Sequence, residues 1–214
     1  MTTMFSLEAT NLRKLFNRRT IFSGVNVRLR TGDSLCIVGK NGAGKSTLVK
    51  VLLGVLSPTA GSIVYRTGES TVPPLDWHRH TGLVSPYLQL YDEFTAWENL
   101  DFIRTIRGIH VEDGEIERLL SLVNLSSRSG DQVRTYSSGM KQRLKYACAL
   151  IHRPQALFFD EPTANLDREG AEIVRRVVEE QKRTGIMIVA TNETDERNWC
   201  SSEIDLDTAA GGIR

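Results

Sequence analysis

The 214-residue sequence predicts an α/β fold: a phosphate-loop core, an N-terminal antiparallel β subdomain and an inserted α-helical subdomain. Three observations carry that expectation. A glycine-rich stretch, GKNGAGKST (Gly39 to Thr47), follows the apolar run Leu35 to Val38 and opens a segment with helical spacing at Leu48, Val51, Leu52 and Val55. Residues 5 to 35 alternate apolar and polar positions, which is the period of half-buried strands. From Ala96 to about Leu125 the apolar positions switch to a helical period, before a strand pattern resumes at Ala156.

In the N-terminal part, Phe5, Leu7, Ala9, Ile21, Val25, Val27 and Leu29 define short strands, with turn signals at Asn17 and at Thr31-Gly32-Asp33. Phe16, in KLFNRRTIF, is either a core residue or an aromatic able to stack on a purine base. In the glycine loop, Gly39, Gly42 and Gly44 let the backbone turn tightly and bring its N–H groups up to phosphate oxygens. Lys45 supplies a point charge for the β- and γ-phosphates, Ser46 offers a hydroxyl to Mg²⁺, and the new helix aims its positive end at the same anion. Asn41, Ala43 and Thr47 complete the loop residues assigned to the nucleotide.

Further along, Thr59 to Ile63 (TAGSI) turns the chain into a strand ending near Tyr65, and a polar, proline-containing loop covers Gly68 to Asp76. A strand through Thr81 to Val84 leads into SPYLQLYDEFTAWENL and the helical pattern of Leu100, Ile103, Ile106, Ile116, Leu119, Leu120 and Val123. In TYSSGMKQRLKYACAL, residues Met140, Leu144, Ala147 and Ile151 fall on one face of a helix, with Ser137 or Ser138 as its N-cap. ALFFDEP is a short apolar strand ending in two adjacent carboxylates. Successive strand side chains point to opposite sides, so Asp160 and Glu161 cannot do the same job. One can hold Mg²⁺ while the other faces a water, the division of labour that metal-assisted phosphoanhydride hydrolysis needs. A helix from Arg168 to about Arg183 and a buried strand from Ile186 to Ala190 follow, and the last ten residues, DLDTAAGGIR, are expected to fray.

The chain reads as one domain over residues 1–214, with the helical subdomain spanning about residues 85–150. Its 27 basic and 26 acidic residues nearly cancel, which leaves no electrostatic footprint for nucleic acid. The longest apolar runs, Val51 to Leu56 and Ile186 to Ala190, fall far short of the ~18 to 20 residues needed to cross a bilayer. The opening MTTMFSLEATNLRKLF shows no secretory signal. Cys36, Cys148 and Cys200 are odd in number and lack metal-ligand spacing, so a reducing, cytoplasmic protein is expected.

Taken together, GKNGAGKST, YSSGM, LFFDEP and the following NLD resemble, in order and spacing, the nucleotide-binding subunits of ABC transporters over nearly the whole chain. YSSGM (Tyr136 to Met140) is similar to the family's LSGGQ signature, with Tyr, Ser and Met at its first, third and fifth positions. A GTPase would need an N-K-x-D guanine motif, and the sequence has none. The resemblance implies an ABC-type phosphate-loop NTPase whose subunits pair head to tail, each ATP lying between the phosphate loop of one and the signature helix of the other. It implies that Phe16 stacks on adenine and that Ser137, Ser138 and Gly139 meet the nucleotide across the interface. It also implies that Asp160 and Ser46 hold Mg²⁺, Glu161 polarises the attacking water, and Asp167 crosses the dimer interface.

The implied partners are a second ATPase subunit, taken as another copy of this chain, and a separate integral membrane transporter subunit, with the chain peripheral on the cytoplasmic face. The helical segment Ala96 to Leu125, with the loop Ser85 to Gln89, is the expected docking surface; Tyr87 and Trp97 are either its anchors or core. Two positions depart from the family. Pro86 stands where a metal-contacting glutamine is usual, with Gln89 three residues later as the candidate metal-site substitute. Asn192 stands where a histidine normally meets the γ-phosphate. The short single cassette looks like the ATPases of haem exporters in cytochrome c maturation, with lipid and lipoprotein exporters carrying similar subunits. The alternative is a soluble ABC-type clamp or switch that binds ATP and turns it over slowly.

Overall fold

We describe residues 4–164, 166 and 168–208 of a computed structural model of the chain. Strands β1 (Phe5–Phe16) and β2 (Arg19–Arg30) form an antiparallel hairpin paired from Ser6 with Arg30 to Phe16 with Arg19. The connecting residues Asn17 (φ 48°) and Arg18 (φ 66°) are both left-handed, the geometry whose twist matches that of the flanking strands. Each strand has 12 residues and is longer than the alternation suggests, because bulges between Ala9 and Lys14 carry the ladder past the point where the apolar pattern lapses.

Strand β3 (Ser34–Val38), buried along its whole length, runs into the glycine loop and helix α1 (Lys45–Leu52). The helical pattern extended to Val55, but the helix stops at Leu52 and Val55 is 67% exposed. Gly54 ends it by taking a left-handed conformation (φ 76°) against Trp77; a Cβ there would lie 2.8 Å from the indole. Strands β4 (Ala60–Thr67) and β5 (Ser70–Val72) complete an antiparallel sheet of order β2-β1-β4-β5. Helix α2 (Trp77–His80) then leads into β6 (Thr81–Val84).

Between β6 and the next core strand come α3 (Ala96–Ile106), α4 (Asp113–Leu122) and α5 (Ser138–Leu150). Thr95 starts α3 with a reciprocal capping box: its side chain accepts from the Glu98 N–H while the Glu98 carboxylate accepts from the Thr95 N–H. Ile106, which the helical pattern put on the buried face, is exposed, because α3 ends there and the chain turns away through Gly108 (φ 59°). The chain closes with β7 (Ala156–Asp160), α6 (Arg168–Thr184), β8 (Ile186–Ala190), α7 (Thr194–Arg197) and β9 (Ser202–Asp205).

The second sheet is parallel, in the order β6-β7-β8-β3-β9. Both of its faces are covered, so its strands read as unbroken apolar runs. Alternation sorts their side chains between two cores. Ala156, Phe158, Ile186, Ile188 and Ala190 join Leu35 and Ile37 against α1 and the antiparallel sheet, whereas Leu157, Phe159, Met187 and Val189 join the helical side. Since β8 lies between β3 and β7 and all run the same way, the loops leaving these strands converge at one edge.

The expected fraying of the last ten residues holds for none of the described ones. Asp205 ends β9 in register with Val38, and Leu206 N–H donates to the Val38 carbonyl at 3.0 Å. Residues 209–214 lie outside the described residues. Among the described residues no helix is long and apolar enough to cross a membrane.

Candidate nucleotide site

The glycine loop takes backbone conformations that side chains resist: Gly39, Gly42 and Gly44 have φ of 144°, 85° and 105°. A Cβ on Gly44 would also fall 2.4 Å from the Ile21 methyl group on β2, so the hairpin sets the floor of the loop. Gly44 caps α1, whose first turn carries no acidic residue, leaving its N–H groups and dipole for an anion. The Lys40 N–H donates to Asp207 at 2.8 Å, which anchors the loop to the segment after β9. Asp207 follows no recognisable pattern; only the β3–β9 pairing brings it there.

Lys45 is 6% exposed and its ammonium donates to the carbonyls of Gly39 (2.8 Å) and Lys40 (3.2 Å) and to Asn192 Oδ1 (2.7 Å). The Asn192 amide in turn donates to Asn41 Oδ1. Asn192 therefore does not turn into the core. It sits on the phosphate loop, as the strand order dictates: it follows β8, between the loop after β3 and the carboxylates at the end of β7. Ala43 and Thr47 are half-buried in the loop and the first turn of α1, and the Ala43 N–H closes the loop onto the Lys40 carbonyl at 3.0 Å.

Ser46 Oγ donates to Asp160 Oδ1 at 2.9 Å, joining the start of α1 to the end of β7. Asp160 is 3% exposed; burial raises its carboxyl above the ordinary value, with the Ser46 hydrogen bond pulling the other way. A hydroxyl and a carboxylate oxygen at contact distance make the hard-oxygen donor set that Mg²⁺ takes, and the small number of protein ligands suits an ion that keeps waters and binds substrate phosphates. The residues present thus fit Mg²⁺, which would supply charge neutralisation at the phosphates. Gln89 is not among them. The chain turns after β6, with Leu88 N–H bonding back to the Ser85 carbonyl, and carries Gln89 to an exposed groove beside Phe102, Ile103 and Ile106. Next to Asp160 across the β6–β7 pairing the chain instead supplies Ser85, which follows the Val84–Phe159 pair, while the carbonyl of Pro86 accepts from Lys145 at 2.6 Å.

Glu161, one residue past the strand, takes a left-handed backbone (φ 52°), with its N–H donating to the Ala190 carbonyl at 2.9 Å. It lines a cavity of about 570 Å³ together with Asn41, Thr191 and Asn192.

Phe16 ends β1 at the hairpin tip, 44% exposed, with the Lys14 ammonium 4.9 Å from its ring centre. It is not a core residue, and its free surface lies on the same hairpin whose Ile21 touches Gly44. Ser137 is the N-cap of α5, its hydroxyl accepting from the Met140 N–H at 3.2 Å, and Ser138 opens the helix beside buried Gly139. Within one chain α5 packs on β6, α3, α4 and α6, and no described hydrogen bond joins residues 137–139 to the phosphate loop. Asp167 lies outside the described residues. The three cysteines are free, and no cluster of metal-ligating side chains occurs among the described residues.

The family model described as "ABC transporter" matches residues 22–164. A lantibiotic transport ATP-binding protein of Streptococcus pyogenes is 36% identical over 87% of this chain and 79% of its own length. A linearmycin resistance ATP-binding protein of Bacillus subtilis is 32% identical over 87% of this chain and 60% of its own length. Among solved structures, the ATP-binding subunit of an ABC transporter superposes with a TM-score of 0.80 at 26% identity, covering 93% of this chain and 85% of the other. These relatives are not haem exporters, and the expected likeness to that subfamily gains no support from them. A lysine held by three hydrogen bonds in a glycine loop, a serine bonded to a buried aspartate and a further carboxylate in the cavity that Asn192 lines accompany the family match, and the chain belongs to the ATP-binding subunits of ABC transporters, which hydrolyse ATP for transport.

Proposed function

We propose that this chain is the ATP-driven motor of an exporter in which two copies close head to tail on ATP, docked on a separate membrane subunit at the cytoplasmic face. The observation that carries the motor reading is the chain of hydrogen bonds from Lys45 to Asn192 and from Asn192 to Asn41, with Glu161 lining the cavity that Asn41 and Asn192 share and Ser46 bonded to Asp160. In this reading Lys45 and the loop N–H groups bind the phosphates, Phe16 stacks on the adenine, and Ser46 and Asp160 hold Mg²⁺. Glu161 takes the proton of the attacking water and Asn192 positions it. The exposed N-terminus of α5, with Ser137, Ser138 and Gly139, would meet the γ-phosphate of the other copy, a role for which a capped helix start is suited. Asp167 would cross the same interface. The relatives named for lantibiotic transport and linearmycin resistance favour an antibiotic of that kind as cargo over haem.

The membrane subunit would seat in the groove of Leu88, Tyr91, Phe102 and Ile106, on the helical subdomain of about residues 85–150. Tyr87 beside it is exposed and suits an anchor, whereas Trp97 packs on the helical core under Arg104. Because Ile106 is exposed at the end of α3, Ile106→Asp leaves the fold intact. It is expected to abolish recovery of the chain with membranes while its ATPase activity in solution stays at the parent level. Equal membrane recovery for Ile106→Asp and the parent would move the docking surface elsewhere.

Asn192 keeps a hydrogen-bond donor for the γ-phosphate but cannot titrate. Slow, real turnover is therefore expected, lowered in Asn192→Ala chiefly through kcat and raised in Asn192→His. Losing a transition-state donor altogether costs about 10² to 10³ in rate, so the alanine effect should be smaller than that. If Asn192→Ala matches the parent in both kcat and KM, residue 192 takes no part in the reaction.

A further inference from the structure

We propose that Tyr146 and Glu196 are positioning residues that hold Glu161 in its hydrolytic geometry, an inference that rests on reading Glu161 as the group that takes the proton of the attacking water. Glu161 occupies a left-handed backbone conformation (φ 52°), which a residue with a Cβ adopts only where its surroundings over-determine it. The next two residues show how. Pro162 has no N–H, so its carbonyl is its one main-chain hydrogen-bonding group, and it accepts from the Tyr146 hydroxyl on α5 at 2.7 Å. At Thr163 both the backbone N–H, at 3.0 Å, and the hydroxyl donate to Oε1 of Glu196 on α7. With the Glu161 N–H on the Ala190 carbonyl, each residue from 161 to 163 is fastened to a different element: β8, α5 and α7.

The two side chains are poor choices for packing alone. Tyr146 is fully buried, and burial, reinforced by the nearby Glu196 carboxylate, pushes its phenol well above its ordinary pKa, so it stays a donor. Glu196 is 2% exposed, and among the described residues its Oε2 has no hydrogen-bond partner although Oε1 serves two donors. A buried carboxylate left half satisfied is costly, and an apolar side chain would fill the same space without that penalty. What an apolar residue could not supply is the acceptor that fixes Thr163, two residues after Glu161. Glu196 also belongs to the segment that begins at Asn192, so the groups on either side of the cavity are referenced to one another.

The test uses the full chain with Mg-ATP and compares Tyr146→Phe, Glu196→Ala and Glu196→Gln, each alone and combined with Glu161→Gln. Turnover, KM, Mg-ATP affinity by calorimetry and the melting temperature are read for every protein. Tyr146→Phe and Glu196→Ala are expected to lower kcat by about tenfold to a hundredfold, the range a displacement of about 1 Å produces, with Mg-ATP affinity unchanged. Glu196→Gln keeps an acceptor oxygen and should recover most of the rate. In the Glu161→Gln background neither substitution should slow turnover further, since the group they position is gone. If Glu196→Ala does not fold, Tyr146→Phe, which removes one hydroxyl, decides the matter. Parent-like kcat in Tyr146→Phe, or the same fractional loss with and without Glu161, overturns the proposal. Normal turnover in Glu161→Gln itself would sink the reading of Glu161, and the proposal with it. Slow Glu161→Gln with unimpaired Tyr146→Phe would sink the positioning proposal alone.

Discussion

Glu161→Gln is expected to bind Mg-ATP as tightly as the parent and to hydrolyse it about 10² to 10⁴ times more slowly. Gln matches Glu in volume and has the same backbone demands, so the left-handed turn at residue 161 and the Ala190 hydrogen bond are not disturbed. What changes is the chemistry at the cavity that Asn41 and Asn192 share: an amide oxygen cannot take up a proton from water at neutral pH. Asp160 does not rescue the reaction, because its Oδ1 is engaged by Ser46 and it faces α1 rather than the cavity. With hydrolysis blocked and binding intact, the ATP-bound dimer should accumulate and be visible by size-exclusion chromatography with light scattering. A Glu161→Gln protein that turns over ATP at the parent rate would remove Glu161 from the chemistry. One that stays monomeric at saturating ATP, alone and with its membrane subunit, would remove the head-to-tail dimer.

Much of the sheet was legible in the sequence, because its side-chain sorting depends only on local rules. Strand parity sends Phe158 and Ile188 to one core and Phe159 and Val189 to the other, whereas Glu161, past the end of β7, is set by its left-handed backbone. The glycine loop was legible for the same reason: three of its glycines have positive φ, and a sequence states directly where such angles are cheap. Ser137 as the cap of α5 was one of two candidates in the sequence, and only the hydroxyl bond to the Met140 N–H separates it from Ser138.

Where local rules end, the reading loses its grip. Val55 continues a helical apolar pattern but lies past a helix end fixed by Gly54 meeting Trp77, a contact between residues remote in sequence. Gln89 satisfies a count along the chain, yet a turn closed by the Leu88–Ser85 hydrogen bond takes it away from Asp160. Asp207 reaches the phosphate loop only because β9 pairs with β3 across most of the chain length. Phe16 could not be assigned from alternation, since it ends a strand whose register slips before it; its exposure at the hairpin tip takes it out of the core. Val55 and Asp207 are set by contacts remote in sequence and Gln89 by a local turn whose path the count along the chain ignores, and none of them lies in the glycine loop.

Replacing Lys45 by alanine is expected to weaken nucleotide binding and hydrolysis together. A lysine charge acts on the phosphates in both the ground and transition states, so its loss raises Kd and lowers kcat rather than trading one for the other. Truncating one partner of a buried, hydrogen-bonded charge contact costs about 2 to 5 kcal/mol, and Lys45, 6% exposed and making three hydrogen bonds, is such a partner. A second effect must be kept apart from this one. The same ammonium satisfies the Gly39 and Lys40 carbonyls and Asn192, so its removal leaves loop acceptors unpaired, at about 1 kcal/mol each in stability. Melting temperatures without nucleotide measure that loss directly. The shift on adding Mg-ATP then reports binding by mass action, and it should nearly vanish in Lys45→Ala while remaining large in the parent. Lys45→Arg discriminates further: it restores the charge but not the compact ammonium that fits between Gly39, Lys40 and Asn192, so it should recover binding only in part. A folded Lys45→Ala protein with the parent's melting shift and affinity would mean that the loop does not hold the phosphates, and the site built around it would fall.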